Sequence, residues 1–196
     1  MIEKSKNTDR STEVVPRPGG RSARIQAAVI QAVEELKQNQ DPSELTVPAI
    51  ADRAGVTPST IYRRWGTLNE LLAEVAARNM RPDAPPQDTG DWRNDLAVWL
   101  HEFVEEMSSE PGRVMLREVL GGERPDNAGQ CSSFTRQQLD TILARVNNDE
   151  ERPPATDDLL DQVIAPVMYR ILFTNAPPER DYTQKLIDKA LGVNST

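Results

Sequence analysis

The 196-residue sequence contains one cysteine, one histidine and only 5% aromatic residues, and each scarcity excludes a class of protein. A single thiol, Cys131, excludes an intramolecular disulfide and a zinc site built from several thiolates. A single imidazole, His101, excludes a metal centre with several histidine ligands. No hydrophobic run approaches the roughly 20 residues that span a bilayer, and residues 1–20 hold no apolar stretch typical of a signal peptide. We therefore expect a reduced, cytoplasmic protein without a metal ion or other cofactor.

Negative charge is concentrated in one part of the sequence, whose net charge is −8. Residues 1–80 carry 11 Lys and Arg against 10 Asp and Glu, whereas residues 81–196 carry 12 against 21. The first part is therefore nearly neutral and the second strongly acidic, which suggests different partners for the two. An acidic total does not exclude nucleic-acid binding, but the binding face must be locally basic because it neutralises phosphates.

Hydrophobic periodicity predicts an all-α protein of about nine helices. Apolar residues recur with helical spacing, and no segment alternates with the period of two that is typical of a half-buried strand. Capping residues, prolines at first helical positions and glycines after last ones set the helix ends. The predicted helices are about 21–38, 47–54, 58–65, 68–80, 92–109, 111–120, 128–146, 157–173 and 181–191. Thr67 and Glu70 have the spacing of a capping box.

Clusters of proline and glycine divide the sequence into three parts. Residues 1–20 predict a disordered basic arm, which is either a solubilising tail or an arm that reaches into a DNA groove. Residues 21–81 predict an N-terminal three-helix helix-turn-helix domain. The prolines between residues 81 and 90 predict a linker, so residues 91–196 form a second, helical domain.

The segment from Thr46 to Leu72 carries the most specific pattern. Two short predicted helices join across the sequence Ala54-Gly55-Val56-Thr57, where glycine lets the chain reverse as in a helix-turn-helix. We expect a small core beneath them, formed by Ile50, Ala51, Val56, Ile61 and Trp65. The opposite face of the second helix presents hydroxyls, a phenol and two guanidinium groups: Ser59, Thr60, Tyr62, Arg63 and Arg64. Such a face suits the major groove of DNA, although a solvated helix face has the same pattern.

This segment resembles the N-terminal DNA-binding domain of the TetR/AcrR family of bacterial transcriptional repressors. The resemblance covers about residues 21–80 and rests on Thr46, Ile50-Ala51, Ala54-Gly55-Val56-Thr57, Thr60-Ile61-Tyr62, Trp65 and Leu71-Leu72. It implies DNA contacts by Thr46, Thr57, Ser59, Thr60, Tyr62, Arg63 and Arg64. Arg21 and Arg24, which extend the basic charge of the arm, are further candidates. Leu68 departs from the family, in which a lysine usually opens the fourth helix, so one phosphate contact is expected to be missing.

The resemblance implies a homodimeric repressor that binds an inverted-repeat operator in double-stranded DNA and is released by a small-molecule effector. Residues 91–196 would then be the effector-binding and dimerisation domain. Their acidic charge favours a neutral or cationic effector over an anionic one. Two other functions stay open: a protein-interaction module with a degenerate helix-turn-helix, and a helical enzyme. The enzyme has little support, because the sequence has no Gly-rich phosphate loop and no Gly-x-Ser-x-Gly motif.

The predicted helix 157–173 has two adjacent apolar columns, a wider stripe than a surface helix needs. One column would face its own core and the other a partner helix in a two-fold four-helix interface, unless the helix is wholly buried in a monomer. The predicted dimer residues are Val163, Ile164, Val167, Ile171, Leu186 and Leu191. A pocket between helices would be lined by Trp99, Phe103, Met107, Met115, Cys131, Phe134, Met168 and Tyr169, each of which is otherwise ordinary core. His101 is expected to lie outside it.

Overall fold

The computed structural model describes residues 20–39, 44–146 and 153–193, which form nine helices and no strand. The first four are α1 (Arg21–Asn39), α2 (Val47–Arg53), α3 (Pro58–Trp65) and α4 (Leu68–Asn79). The next three are α5 (Trp92–Ser108), α6 (Glu110–Gly121) and α7 (Pro125–Leu143). Helix α8 runs from Thr156–Leu159 through a π-helical turn, Leu160–Ile164, into Ala165–Phe173, and α9 is Arg180–Ala190. The all-α prediction is confirmed, while the predicted arm lies outside the described residues apart from Gly20.

Side-chain caps begin α2 and α4 where the sequence predicts them. The Thr46 hydroxyl accepts a hydrogen bond from the backbone N–H of Ala49 (3.3 Å), and the Thr67 hydroxyl accepts one from Glu70 (3.2 Å). Each bond satisfies one of the N–H groups that the first helical turn leaves without an intrahelical partner. Gly55, between α2 and α3, has a φ of 65°, the left-handed conformation that glycine adopts without steric cost.

The other half of the predicted capping box is wrong, because the Glu70 carboxylate binds a different helix. Its Oε1 accepts hydrogen bonds from the backbone N–H groups of Glu123 (2.5 Å) and Arg124 (3.0 Å). Those groups precede α7, whose N-cap residue, Arg124, supplies no side-chain cap. The buried carboxylate therefore lies at the positive end of the α7 dipole, where a negative charge is favourable.

Contacts between Cα atoms divide the chain within α3, between Ile61 and Tyr62. In the first unit α1 packs against α2, and an ion pair joins Glu35 to Arg53. Hydrogen bonds from Arg53 and Gln31 lower the pKa of the Glu35 carboxyl. Of the residues predicted as the small core, Ile50, Ala51, Ile61 and Trp65 are buried, and Val56 is half-buried.

In the second unit α4 packs closely against α6. Gly122, just after α6, allows this approach, because a Cβ atom on it would lie 2.8 Å from the Cβ of Ala73. The main core of this unit lies between α5, α7, α8 and α9 and includes Leu96, Leu100, Leu139, Ile142, Leu159 and Ile187. Helix α4 thus belongs with the C-terminal helices by contact, while the predicted boundary between residues 81 and 91 stays a prediction.

The proline-rich segment between α4 and α5 is held by one buried ion pair. Asp95 on α5 binds Arg145, with Oδ2 and Nη1 2.6 Å apart, and its Oδ1 accepts hydrogen bonds from the N–H and hydroxyl of Thr89 (2.8 and 2.6 Å). Arg145 also donates to the carbonyls of Pro86 and Gln87 (both 2.6 Å). Burial acts to raise the pKa of Asp95, but the bonds from Thr89 and Arg145 outweigh it and hold that pKa below its ordinary value.

The π-helical turn in α8 has a local cause. Pro166 has no N–H group, and in a regular α-helix its ring would clash with the carbonyl of Gln162. The chain instead widens by one residue, so that Ala165 donates its hydrogen bond to the carbonyl of Leu160, five residues back.

Candidate functional site

The beginning of α3 presents a cluster of three hydroxyls. Thr57 Oγ1 lies 2.9 Å from Ser59 Oγ and 3.0 Å from Thr60 Oγ1. Thr57 and Ser59 are exposed and Thr60 is half-buried. Hydroxyls and free N–H groups at a helix N-terminus are donors that suit a phosphate oxygen.

The end of α3 presents one phenol and two guanidinium groups to solvent. Tyr62 is 52% exposed, and Arg63 and Arg64 are also exposed. The Arg64 guanidinium lies over the ring of Trp65, 5.3 Å from its centroid. Trp65 is buried, and its indole N–H donates to Glu74 Oε2 on α4 (2.8 Å), so the end of α3 is fixed to α4.

The remaining predicted DNA contacts, Arg21, Arg24 and Thr46, are exposed as well. Every predicted contact except half-buried Thr60 is therefore open to solvent in the described part of the chain. Leu68, which stands where a lysine is expected, is half-buried at the beginning of α4. Exposure is necessary for DNA binding but does not establish it, so these roles stay predictions.

The second unit also contains a cavity of about 580 Å³. Its walls come from the end of α4, the segment between α4 and α5, and helices α5 to α8. Six of the eight candidate pocket residues line it: Trp99, Phe103, Met107, Cys131, Phe134 and Met168. Burial raises the pKa of the Cys131 thiol, which donates to the sulfur of Met80 at 3.7 Å.

Two predicted pocket residues do not line this cavity. Tyr169 is 63% exposed on the outer face of α8, and Met115 packs against Ala76, Ala77 and Val119 rather than lining the cavity. His101 does not line this cavity either, as expected, and its Nε2 lies 3.4 Å from Glu105 Oε1 on the same helix.

Sequence reasoning missed two groups of residues that line the cavity. The first is the segment Met80 to Pro86, which the prolines marked as a linker and which instead forms a wall. The second is the rest of a column on α8, Leu160, Ile164 and Leu172, in which only Met168 was predicted to line a pocket. This column was visible as the second apolar stripe of the helix, but periodicity alone does not distinguish a cavity from a partner chain.

Four of the six predicted dimer residues lie inside their own chain. Val163, Val167 and Ile171 are at most 1% exposed in the core of their own chain, and Ile164, which is 8% exposed, lines the cavity. Leu186 and Leu191 are half-buried against the same core. The outer face of α8 carries Tyr169 and Phe173 instead, 63% and 73% exposed, with ring centroids 5.3 Å apart.

Within residues 20–39, 44–146 and 153–193, no group of acidic, histidine and cysteine side chains is arranged to hold a metal ion. The same residues contain no helix that is long and apolar enough to cross a membrane.

A short exposed helix after a glycine turn, followed by a helical unit with an internal cavity, defines the class of helix-turn-helix transcription regulators. Residues 29–75 match the family model described as "Bacterial regulatory proteins, tetR family". Residues 86–190 match the model described as "Tetracyclin repressor-like, C-terminal domain". The chain therefore belongs to the TetR family, whose members are DNA-binding regulators and not enzymes.

Relatives of the chain have names that agree with this assignment. An uncharacterised HTH-type transcriptional regulator of Mycobacterium tuberculosis is 28% identical over 171 residues, which cover 80% of each chain. The HTH-type transcriptional regulator AqdR of Rhodococcus erythropolis is 26% identical over 144 residues, covering 71% of this chain and 70% of AqdR. Among solved structures, the TetR family transcription regulator SCO0332 has the same fold, with a TM-score of 0.60 at 24% identity over 88% of this chain and 100% of that one.

Proposed function

We propose that this chain is a dimeric, sequence-specific repressor that acts in the cytoplasm and leaves an inverted-repeat operator when a small molecule enters its cavity. The observation that carries the proposal is the connection from the cavity to α3. The loop between α6 and α7, two of the cavity walls, is hydrogen-bonded both to α4 and to the last residue of α3.

DNA recognition is assigned to the exposed side of α3. The hydroxyls of Thr57 and Ser59 at its beginning suit a phosphate oxygen, helped by the helix dipole. Arg63, which has no ion pair among the described residues, suits the O6 and N7 acceptors of guanine, and such a bidentate contact is worth about 1–3 kcal/mol of discrimination. Tyr62, with its exposed phenol, is assigned to a phosphate.

The proposed dimer interface is the outer face of α8, around Tyr169 and Phe173. Two exposed aromatic rings on one helix form an apolar surface that a partner chain would bury. Next to them the Arg170 guanidinium lies 3.9 Å from the ring centroid of Tyr182, so α9 borders the same surface. A dimer is needed because two recognition helices must reach successive major grooves, about 34–36 Å apart.

Helix α4 is the proposed lever between the cavity and α3. Glu70 on α4 binds the N–H groups of Glu123 and Arg124, and the Arg124 guanidinium donates to the carbonyl of Trp65 at 3.4 Å. A ligand that displaces α6 or α7 would therefore move this loop and, with it, the end of α3. A tenfold loss of operator affinity requires about 1.4 kcal/mol of differential ligand binding between the two arrangements.

The first experiment selects bound fragments from random-sequence duplex DNA with the purified protein at near-physiological salt. We expect an inverted repeat. Replacing Tyr62 with Phe and Arg63 with Ala should abolish enrichment while the protein stays a folded dimer, whereas Arg117→Ala, an exposed arginine on α6, should have no effect. A folded dimer that enriches no motif would favour the protein-interaction module instead.

The second experiment tests the lever without needing the effector. Thr135→Trp places a large side chain in the cavity and should lower operator affinity at least tenfold, whereas Ser133→Trp, exposed on the same helix and outside the cavity, should not. In a Glu70→Gln background the effect of Thr135→Trp should shrink, because the charged contact with the α6–α7 loop is lost. A double-mutant cycle in which the two changes are additive would rule out this route.

A further inference from the structure

We infer that the cavity accepts an organic cation, a ligand with an apolar body and an ammonium-type or phosphonium-type group. The inference rests on the proposed effector cavity and goes further by naming the chemical class of the ligand. It is carried by the charges on the cavity wall and by their position beside two aromatic rings.

The cavity wall is negatively charged. Three carboxylates line it, on Asp83, Glu102 and Glu106, against one guanidinium, on Arg81. None of these three carboxylates has an ion pair with another residue in the described ranges. The negative charge is therefore available to a cation that enters, and it opposes the entry of an anion.

Helix α5 places two of these carboxylates beside a π surface. Trp99 and Phe103, four residues apart, form a stacked pair with ring centroids 5.4 Å apart and an interplanar angle of 25°. Glu102 and Glu106 have the same spacing on a neighbouring line of the helix, and all four residues line the cavity. A cation between them would combine coulombic attraction with a cation–π interaction.

The rest of the lining suits an apolar body rather than a bare ion. Leu116, Ile164 and Met168 supply hydrophobic surface, and a metal ion would gain nothing from it. Glu102 and Glu106 are exposed whereas Leu116 and Ile164 are buried, so the charged end of the ligand is expected near α5.

The test compares tetraphenylphosphonium with tetraphenylborate, which have nearly the same shape and opposite charge. Isothermal titration of the free protein should show the cation binding at least tenfold more tightly, with an affinity that falls as salt is added. Equal or tighter binding of the borate, or no binding of the phosphonium, would overturn the inference.

Matched variants locate the effect. The double substitution Glu102→Gln and Glu106→Gln should weaken tetraphenylphosphonium binding about fivefold, while neutral triphenylphosphine oxide should bind as before. Glu105→Gln removes a carboxylate from the same helix but outside this cavity, and should change neither affinity. An equal loss in Glu105→Gln would mean that only the net charge of the protein matters, which also contradicts the inference.

Failure of the ligand class and failure of the proposed function are distinguishable. Release from DNA by Thr135→Trp depends on filling the cavity and not on the charge of a ligand. If Thr135→Trp lowers operator affinity and the phosphonium does not bind, the repressor proposal stands and the cation assignment is wrong.

Discussion

Asp95 is the residue on which the segment before α5 most depends. Its carboxylate is buried and joins Arg145 to Thr89, while Arg145 binds two carbonyls of the segment. Asp95→Asn should lower the free energy of unfolding by about 3 kcal/mol, because it leaves a half-buried guanidinium without its counter-charge. Urea unfolding measures the loss, and Asp161→Asn, exposed on α8, should cost less than about 0.5 kcal/mol.

The same carboxyl predicts a pH dependence with a definite sign. Because the pKa of Asp95 is lower in the folded protein, its contribution to stability is complete above the unfolded value of about 3.9. The contribution is lost as pH falls through the folded pKa. The stability difference between wild type and Asp95→Asn should therefore be constant from pH 7 to 5 and shrink below about pH 4. A difference that grew on acidification would contradict the assignment.

Replacement by alanine should have opposite effects on stability at Gly112 and at Gly129. A Cβ atom on Gly112 would lie 2.1 Å from the carbonyl oxygen of Glu106, where α5 turns into α6, so Gly112→Ala should destabilise the protein by about 3 kcal/mol. Gly129 on α7 has nothing within 4 Å, so Gly129→Ala should stabilise the protein by about 0.5–1 kcal/mol. Thermal unfolding of both variants checks the pair, and similar shifts in both would show that the turn is not tightly packed.

At the scale of the helix, the sequence predicts where elements begin and end better than what they face. Local chemistry decides the ends, as Thr46 and Thr67 show, so the described helices begin within three residues of prediction. The face of a helix depends on residues distant in sequence. Glu70 matched a capping box locally, yet its carboxylate binds the loop 53 residues away.

Helix α8 is a second example in which the sequence predicts the helix but not what each of its faces contacts. Its two apolar columns were both recognised, but Val163, Val167 and Ile171, which were assigned to a partner chain, lie in the core, and Ile164 lines the cavity. An apolar stripe predicts that those side chains are shielded from water. It does not predict whether the protein core, a ligand or a partner chain shields them. The proline-rich wall of the cavity was missed for a related reason. Prolines predict where a helix ends, but they do not predict whether the following residues are buried.

Alanine substitutions at three consecutive residues of α8 should affect three different properties: stability, ligand affinity and dimerisation. Ile171→Ala, in the core, should cost about 2–5 kcal/mol of stability. Leu172→Ala, in the cavity, should mainly change ligand affinity, and Phe173→Ala, on the outer face, should mainly weaken dimerisation. Denaturation, ligand titration and sedimentation equilibrium at one protein concentration measure them. If Phe173→Ala had the same dimer dissociation constant as the wild type, the proposed interface on the outer face of α8 would be wrong.

For the whole molecule, a net charge of −8 means that DNA binding depends on a few local cations. Arg24→Gln should weaken binding equally for all sequences and lower the slope of log affinity against log salt by about 2, one contact for each half of the dimer. Arg63→Gln should instead relax the preference at one base position, because its proposed partner is a base edge. Competition binding at several salt concentrations checks both, with Arg117→Gln as the unchanged control. If Arg24→Gln left the slope unaltered, Arg24 would not contact phosphate.

The close approach of α4 to α6 at Gly122 and Ala73 has a consequence for how such a protein can be recombined with its relatives. A hybrid that joins the DNA-binding part of one family member to residues 91–196 of this chain would place a foreign α4 against this α6. A bulky residue at position 73 would then crowd the chain at Gly122, and a residue without an acceptor side chain at position 70 would leave the N–H groups of Glu123 and Arg124 without this partner. Exchange of effector specificity between relatives should therefore succeed only when the crossover lies before Thr67, so that α4 travels with the helices it packs against.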